Sequence, residues 1–309
     1  MTERIRLTVG PVLYYWPRKT LIDFYADMAD SPADTIVLGE VVCSRRHEMK
    51  REDWMALARE LASCGKEVVL ATQALLESES DLRDARRIAA QDEFLVEAGD
   101  ASALRLLAGR PFVLGPHINV YSRPALDEHA ALGAIRWVPP VELGLEAIGV
   151  INPPASPAVG GPGSDIPIAT EVFAFGRLPL AFSARCFTAR HYRLSKDQCG
   201  FRCIEHPDGL LLATGERAPF LTLNGIQTQS AAQHCLIGDA AALREAGAGR
   251  VRLSPVAHGF RDVLACFERV FNHGADVEQA RAELAAMSLP GGLVDGFAHR
   301  RPGLEQSWA

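Results

Sequence analysis

The sequence predicts a single-domain (β/α)8 TIM-like barrel. Three observations carry this: eight short apolar β-type runs, helix-type stretches between them, and a length of 309 residues, enough for one barrel-sized core. Alternating β and α units of this size imply a parallel sheet. An open doubly wound sheet is the alternative. No Gly-x-Gly-x-x-Gly follows the first strand and no Walker motif is present, which weakens a nucleotide-binding reading.

Taken in order, Ile5–Val9 predicts the first strand and 17–29 a helix after it. Thr35–Leu38 is the second strand, followed by a helix near 53–63. Asp53 is expected at its N-cap or first position and Gly65 just past its end. Glu67–Ala71 precedes a helix near 81–90. Phe94–Glu97 precedes one over 101–108, which stops at Gly109. Phe112–Leu114 precedes one over 125–132, closed by Gly133. Ile135–Val138 leads to a short helix around 142–147, and Ile168–Phe175 is the seventh strand. Arg250–Leu253 is the eighth, with helices near 261–272 and 277–287 after it.

Two segments interrupt the alternation. Residues 152–167 are rich in Pro, Gly and Ser and predict a flexible surface loop. Residues 177–248 form an insertion between strands seven and eight, with one further strand-like run at Phe220–Asn224. No internal repeat is visible, so residues 1–309 are expected to form one domain.

Bulk composition narrows the function. A formal charge of −6 and a pI near 5.9 lack the basic footprint of a nucleic-acid binder. The N-terminus lacks a signal-peptide apolar region, and no run of ~18 apolar residues suggests a membrane span. The expected compartment is the cytoplasm, where clustered cysteines read as metal ligands before disulfides.

Cys186, Cys199 and Cys203 lie within eighteen residues, spaced Cys-x12-Cys-x3-Cys. Iron–sulfur clusters generally take four thiolates. Cys43, just past the second strand, is the candidate fourth. Cys186 follows the seventh strand, so both fall on the C-terminal face of a barrel, where active sites are built. Zinc is the chemical rival, although structural zinc more often shows Cys-x2-4-Cys pairs. Cys64, Cys235 and Cys266 read as cysteines packed among apolar helical neighbours.

Other chemistry-bearing residues sit near strand ends. Glu40, Glu97, Asn119, Glu142 and Glu171 predict a polar mouth, or alternatively helix caps and arginine partners. His191 and His206 flank the cysteine triplet, and His191 is placed to donate to a cluster sulfur or a substrate oxygen. The run Arg45–Arg51 reads as a solvated helix start or an anion-binding rim, a theme repeated by Arg177, Arg185 and Arg190 around Cys186. Tyr14, Tyr15 and Trp16 read as core or rim packing, or as the lining of a ring pocket.

The stretch from Glu171 to Cys186 resembles the signature of the collagenase-like peptidases of unknown catalytic type, which reads Glu-x-Phe-x-x-Gly, a Cys, then Ser-Gly-x-Cys. Glu171, Phe173, Gly176, Ser183 and Cys186 match it, whereas Pro179 replaces the first Cys and Ala184 the Gly. These departures point to the ubiquinone biosynthesis branch of the family. Further matches span 10–17, 31–34, 38–44, 65–70, 111–121, 136–138, 186–191 and 223–230, nearly the whole chain.

The resemblance implies a [4Fe–4S] cluster on Cys43, Cys186, Cys199 and Cys203. It implies a heterodimer with UbiU, a sister protein of the family, and the lipid-binding accessory protein UbiT. It also implies dioxygen-independent hydroxylation of the ubiquinone precursor ring, with prephenate as the expected oxygen donor. Two rival readings remain. One is a peptidase, for which no supported Ser-His-Asp or Cys-His set is visible. The other is a cluster-bearing scaffold that feeds electrons to UbiU. The catalytic residues stay open among Glu40, Asn119, Glu142, Glu171, Arg185 and His191.

Overall fold

Residues 4–160 and 166–308 are described by a computed structural model. The first six units run β1 (Arg6–Val9), α1 (Arg18–Ala29), β2 (Thr35–Leu38), α2 (Arg51–Ser63), β3 (Glu67–Ala71), α3 (Glu79–Ala90), β4 (Leu95–Ala98), α4 (Ala101–Leu107), β5 (Phe112–Leu114), α5 (Arg123–Leu132), β6 (Ala134–Trp137) and α6 (Leu145–Ile151). Then come β7 (Ala169–Gly176) and the insertion: β8 (Pro179–Phe182), α7 (Phe187–His191), β9 (Leu210–Ala213), β10 (Pro219–Asn224), β11 (Gln227–Ser230), β12 (Gln233–Cys235) and α8 (Ala240–Glu245). The chain ends with β13 (Ala248–Leu253), α9 (Phe260–His273), α10 (Val277–Ala286) and β14 (Leu293–Val294).

Strands β1 to β7 pair in parallel with their sequence neighbours. Strand β13 pairs in parallel with both β7 and β1, setting Val251 beside Val172 and Leu7, and so closes an eight-stranded barrel. The fold class expected from the sequence is therefore the one observed. The insertion does not stay apart from it. Strand β12 extends the sheet from β7 in antiparallel fashion, while β8, β11, β10 and β9 form a separate antiparallel sheet over the C-terminal end.

Local chemistry sets the element ends. Ser78, Asp100 and Ser122 accept the orphan N–H groups that open α3, α4 and α5. Gly133 ends α5 at φ +117°, and a Cβ there would lie 2.3 Å from the Arg110 carbonyl oxygen. Helix α2 begins at Arg51, so Asp53 is its third residue, where its carboxylate takes the Lys50 N–H at 2.8 Å. The helix expected at 142–147 begins later, at Leu145. The Leu143 N–H closes a turn on the Pro140 carbonyl, and Gly144 becomes the N-cap. The expected loop 152–167 is anchored at its start: the buried Asn152 amide donates to the Ile168 carbonyl and to Thr170 Oγ1, and its oxygen accepts from Ala158. Residues 161–165 of that loop lie outside the described residues.

The barrel lumen holds charges in place of some of the usual branched aliphatic layers. Arg252 clamps Glu97 through both guanidinium ends, at 3.0 and 2.5 Å, and reaches Glu171 at 2.7 Å. Arg136 and Arg250 share Glu67, and Thr8 donates to Glu171. Burial pushes the Glu171 carboxyl up, but Arg252 and Arg136 outweigh it and hold the group below its ordinary range. Beside these charges, Val37, Val69, Val113 and Val138 pack against Val41, Val42 and Ile226.

Candidate metal centre

The insertion folds back so that its cysteines meet the loop after β2. Cys43, Cys186, Cys199 and Cys203 line one small cavity, together with Arg46, Lys196 and Phe201. All four are free thiols and half-buried. Cys186 caps the start of α7, where its Sγ accepts the Ala189 N–H at 3.4 Å. Between Cys199 and Cys203 the backbone turns through two consecutive left-handed residues, Gly200 at φ +57° and Phe201 at φ +54°. That reversal lets both thiols face the same cavity. Phe201 packs on Tyr15, 5.9 Å between ring centroids.

Glu40 shapes the Cys43 loop. Its Oε1 accepts both the Val42 and Cys43 N–H groups at 3.0 Å. Burial pushes its carboxyl up, with Arg46 and those two donors opposing. Arg46 is buried behind the cysteines. It donates to the Leu13 carbonyl at 2.8 Å and to Asn224 Oδ1 at 2.7 Å, and its guanidinium stands over the Tyr15 ring. Its Nε–H has no hydrogen-bond partner. On the other side, Arg45 holds the Lys196 carbonyl and the Asp197 carboxylate, tying the Cys43 loop to the Cys199 segment. Burial pushes the Cys43 thiol up to about 11 and the Cys203 thiol upward too, each opposed by Arg46.

Four thiolates on one cavity are a donor set that a [4Fe–4S] cluster would use. The unpartnered Arg46 Nε–H is a buried donor without an acceptor, which an anionic cluster would supply. If a cluster sits here, those four thiolates hold it.

The remaining candidates separate. Glu171 is fully buried in the lumen and bonded to arginine, so it is a barrel-core residue and not part of the mouth. Glu97 is also buried and clamped by Arg252, but the two line the small cavity left at the mouth. Asn119 is exposed, and Glu142 is exposed and takes the Tyr121 hydroxyl. Arg185 and His191 are exposed, and neither lines the cysteine cavity. His206 bonds Tyr192 at 2.6 Å, and the buried Arg177 grips the Ala231 and Asp208 carbonyls. Tyr14, Tyr15 and Trp16 are buried packing residues, with Trp16 Nε1 donating to the Pro207 carbonyl at 2.7 Å.

The expected polar mouth is instead plugged. The two-residue hairpin loop Gly225–Ile226 drives Ile226, 1% exposed, onto the lumen valines. A residual mouth cavity of about 30 Å³ remains, lined by Thr72, Glu97, His117, Arg252 and Ser254, and burial pushes His117 down to about 4. Cys235 lies on buried β12 and Cys64 is exposed at the end of α2, so only Cys266 of these three sits on a buried helix face. Sequence reading missed Asn224 and Gly225 as site residues. The Asn-Gly pair between two alternating runs was the available signal; Gly225 has φ +64°, and a Cβ there would stand 3.0 Å from the Arg46 guanidinium.

A family model for Peptidase family U32 matches residues 22–305. Among solved structures, the chain is similar to the U32 peptidase Mk0906, at 12% identity and a TM-score of 0.43, over 82% of this chain and 94% of that one. It is similar to the spore cortex-lytic enzyme SleL of Bacillus megaterium QM B1551, at 11% identity and 0.43, over 87% and 75%. A third similarity is to phospho-2-dehydro-3-deoxyheptonate aldolase of Thermotoga maritima, at 13% identity and 0.38, over 93% and 71%.

Proposed function

This chain belongs to peptidase family U32, and on that premise we propose that it is the iron–sulfur subunit of a UbiU–UbiV-type complex, taking the UbiV part. The complex hydroxylates the ubiquinone precursor ring without dioxygen, with prephenate as oxygen donor and UbiT as lipid-binding accessory, in the cytoplasm. The observation that carries this reading is the convergence of Cys43, Cys186, Cys199 and Cys203 on one cavity, beside a buried and incompletely bonded Arg46.

A [4Fe–4S] cluster supplies one-electron transfer. This chain's own residues do the rest. Glu40 fixes the Cys43 loop through two N–H groups, Arg46 presents positive charge to the sulfurs, and Phe201 and Tyr15 shield one side. Peptide cleavage is disfavoured. Cys186 shares its cavity with three other thiols, and His191 is exposed and outside it.

The plugged mouth favours a second reading, in which the chain is a cluster-bearing electron-transfer scaffold and the ring chemistry belongs to UbiU. The deciding preparation is anaerobic co-purification with UbiU, followed by absorption spectra and iron and sulfide assays. The proposal expects about four irons and four sulfides per chain and their loss in Cys186→Ala. A colourless, iron-free preparation, or a Cys186→Ala protein with intact cluster and activity, overturns it. Glu40→Gln with full cluster content and unimpaired hydroxylation would favour the scaffold.

A further inference from the structure

Apart from the thiols, Asp239, Asp295 and His299 bring three metal-ligating atoms within 4.8 Å of one another. None of the three lines the cysteine cavity. Asp239 stands between β12 and α8, Asp295 follows β14, and His299 ends the short 3₁₀ turn Gly296–His299. His299 Nε2 lies 3.0 Å from Asp239 Oδ1 and 3.2 Å from Asp295 Oδ2. The Asp295 side chain is fully buried and that of Asp239 is 12% exposed, while the imidazole is 30% exposed.

These contacts are not an ordinary ion pair. The buried His299 Nε2 is in line for a hydrogen bond with neither carboxylate, and Asp239 Oδ2 has no hydrogen-bond partner. Asp239 occupies the N-cap of α8, yet its side chain caps nothing, although capping is the usual use of an Asp there. Its carboxylate gives up those donors and turns toward a second carboxylate. Two buried carboxylates sharing one imidazole leave negative charge in excess. Arg281, the next cation that Asp239 feels, is engaged by Glu278 and the Trp308 ring.

The spacing is that of ligands around a shared ion. On a metal with bonds of about 2.1 Å, neighbouring ligand atoms lie roughly 3.0–3.4 Å apart. An imidazole with two carboxylates favours divalent first-row transition metals over Ca²⁺ or Mg²⁺. We propose that Asp239, Asp295 and His299 bind one such ion, with water completing its coordination from the exposed side of the imidazole. Ser307 supports the site. Its N–H donates to Asp295 Oδ1 at 2.7 Å and its hydroxyl to Oδ2, which orients the carboxylate as partners of metal ligands do. The ion pins the segment 295–308 to the exit of the insertion at Asp239. This goes beyond the reading above and does not depend on it.

The test is a Mn²⁺ titration of the full chain, purified without air and cleared of loose metal by dialysis against EDTA. The electron paramagnetic resonance signal of free Mn²⁺ reads the uptake, and manganese avoids thiolates, so the cysteine cavity does not compete. At about pH 7.5, saturable uptake of about one Mn²⁺ per chain is expected, with a rise in thermal midpoint. His299→Ala and the isosteric Asp239→Asn should each weaken uptake about tenfold or more, with iron and sulfide content unchanged. No saturable uptake by the unaltered chain overturns the site and leaves an imidazolium salt-bridged to two carboxylates. Unchanged affinity in Asp239→Asn overturns it as well, and that variant decides the matter should His299→Ala fail to fold. The titration reads the same on an iron-free preparation, so failure of the cluster reading leaves this test intact.

Discussion

The Arg46 guanidinium donates to the Asn224 side-chain oxygen across 2.7 Å, joining the loop after β2 to the hairpin that caps the barrel. Both groups are buried. The same Asn224 amide donates to the Leu13 carbonyl, so one side chain links three segments.

Asn224→Ala should therefore destabilise the protein by about 2–3 kcal/mol, since it strips a charged donor of its acceptor in a buried site. Urea midpoints at constant slope would measure the loss. An unchanged midpoint would show that the contact contributes nothing net.

Arg46→Gln removes the nearest buried positive charge from the cysteine cavity. With a cluster in place, the reduced and more negative state loses stabilisation, and the midpoint potential should move to more negative values. Redox titration followed by electron paramagnetic resonance reads this directly. A shift in the positive direction would contradict the placement of Arg46 beside the sulfurs.

The lumen charges predict acid sensitivity. Glu67 and Glu171 are each pushed up by burial but held below 4.5 overall by arginine partners. Carboxyls depressed in the folded state stabilise it above their unfolded value, and that stability drains as pH falls below about 4.5 through the folded values. Thermal midpoints between pH 7 and 3 should show the decline. Glu171→Gln should cost about 3–5 kcal/mol at pH 7, because it leaves Arg252 and Arg136 buried with one carboxylate fewer.

The metal-free protein should lose stability in alkali. Burial raises the Cys43 thiol from 9.0 to about 11, so the folded state keeps a proton that the unfolded chain releases. The contribution is intact below pH 9.0 and is lost as pH climbs toward about 11. Cys43→Ser, scanned in parallel, should flatten that part of the profile. Because the thiols must deprotonate to bind, metal uptake should also quicken with pH.

The barrel was legible because most of its strands keep a short apolar run and several helices stop at a glycine, as at Gly65, Gly109 and Gly133. The meeting of Cys43 with the later triplet was legible too, because strand order places both loops at one end. The mouth was misread for a physical reason. A glutamate near a strand end has the same sequence whether it faces a substrate or an arginine, and Glu171 is settled only by Arg252 and Arg136 from other strands. The plug was invisible since Ile226 acts through a hairpin folded back over the lumen.

The strand that seals the barrel is also nearly the last to be made. During vectorial synthesis Cys203 leaves the ribosome before Leu253 of β13, the partner of both β1 and β7. All four thiols are thus accessible while the nascent sheet still has an open seam. The Arg252 clamp on Glu97 and Glu171 forms only when that seam shuts, at long sequence separation, which makes it a late and slow event.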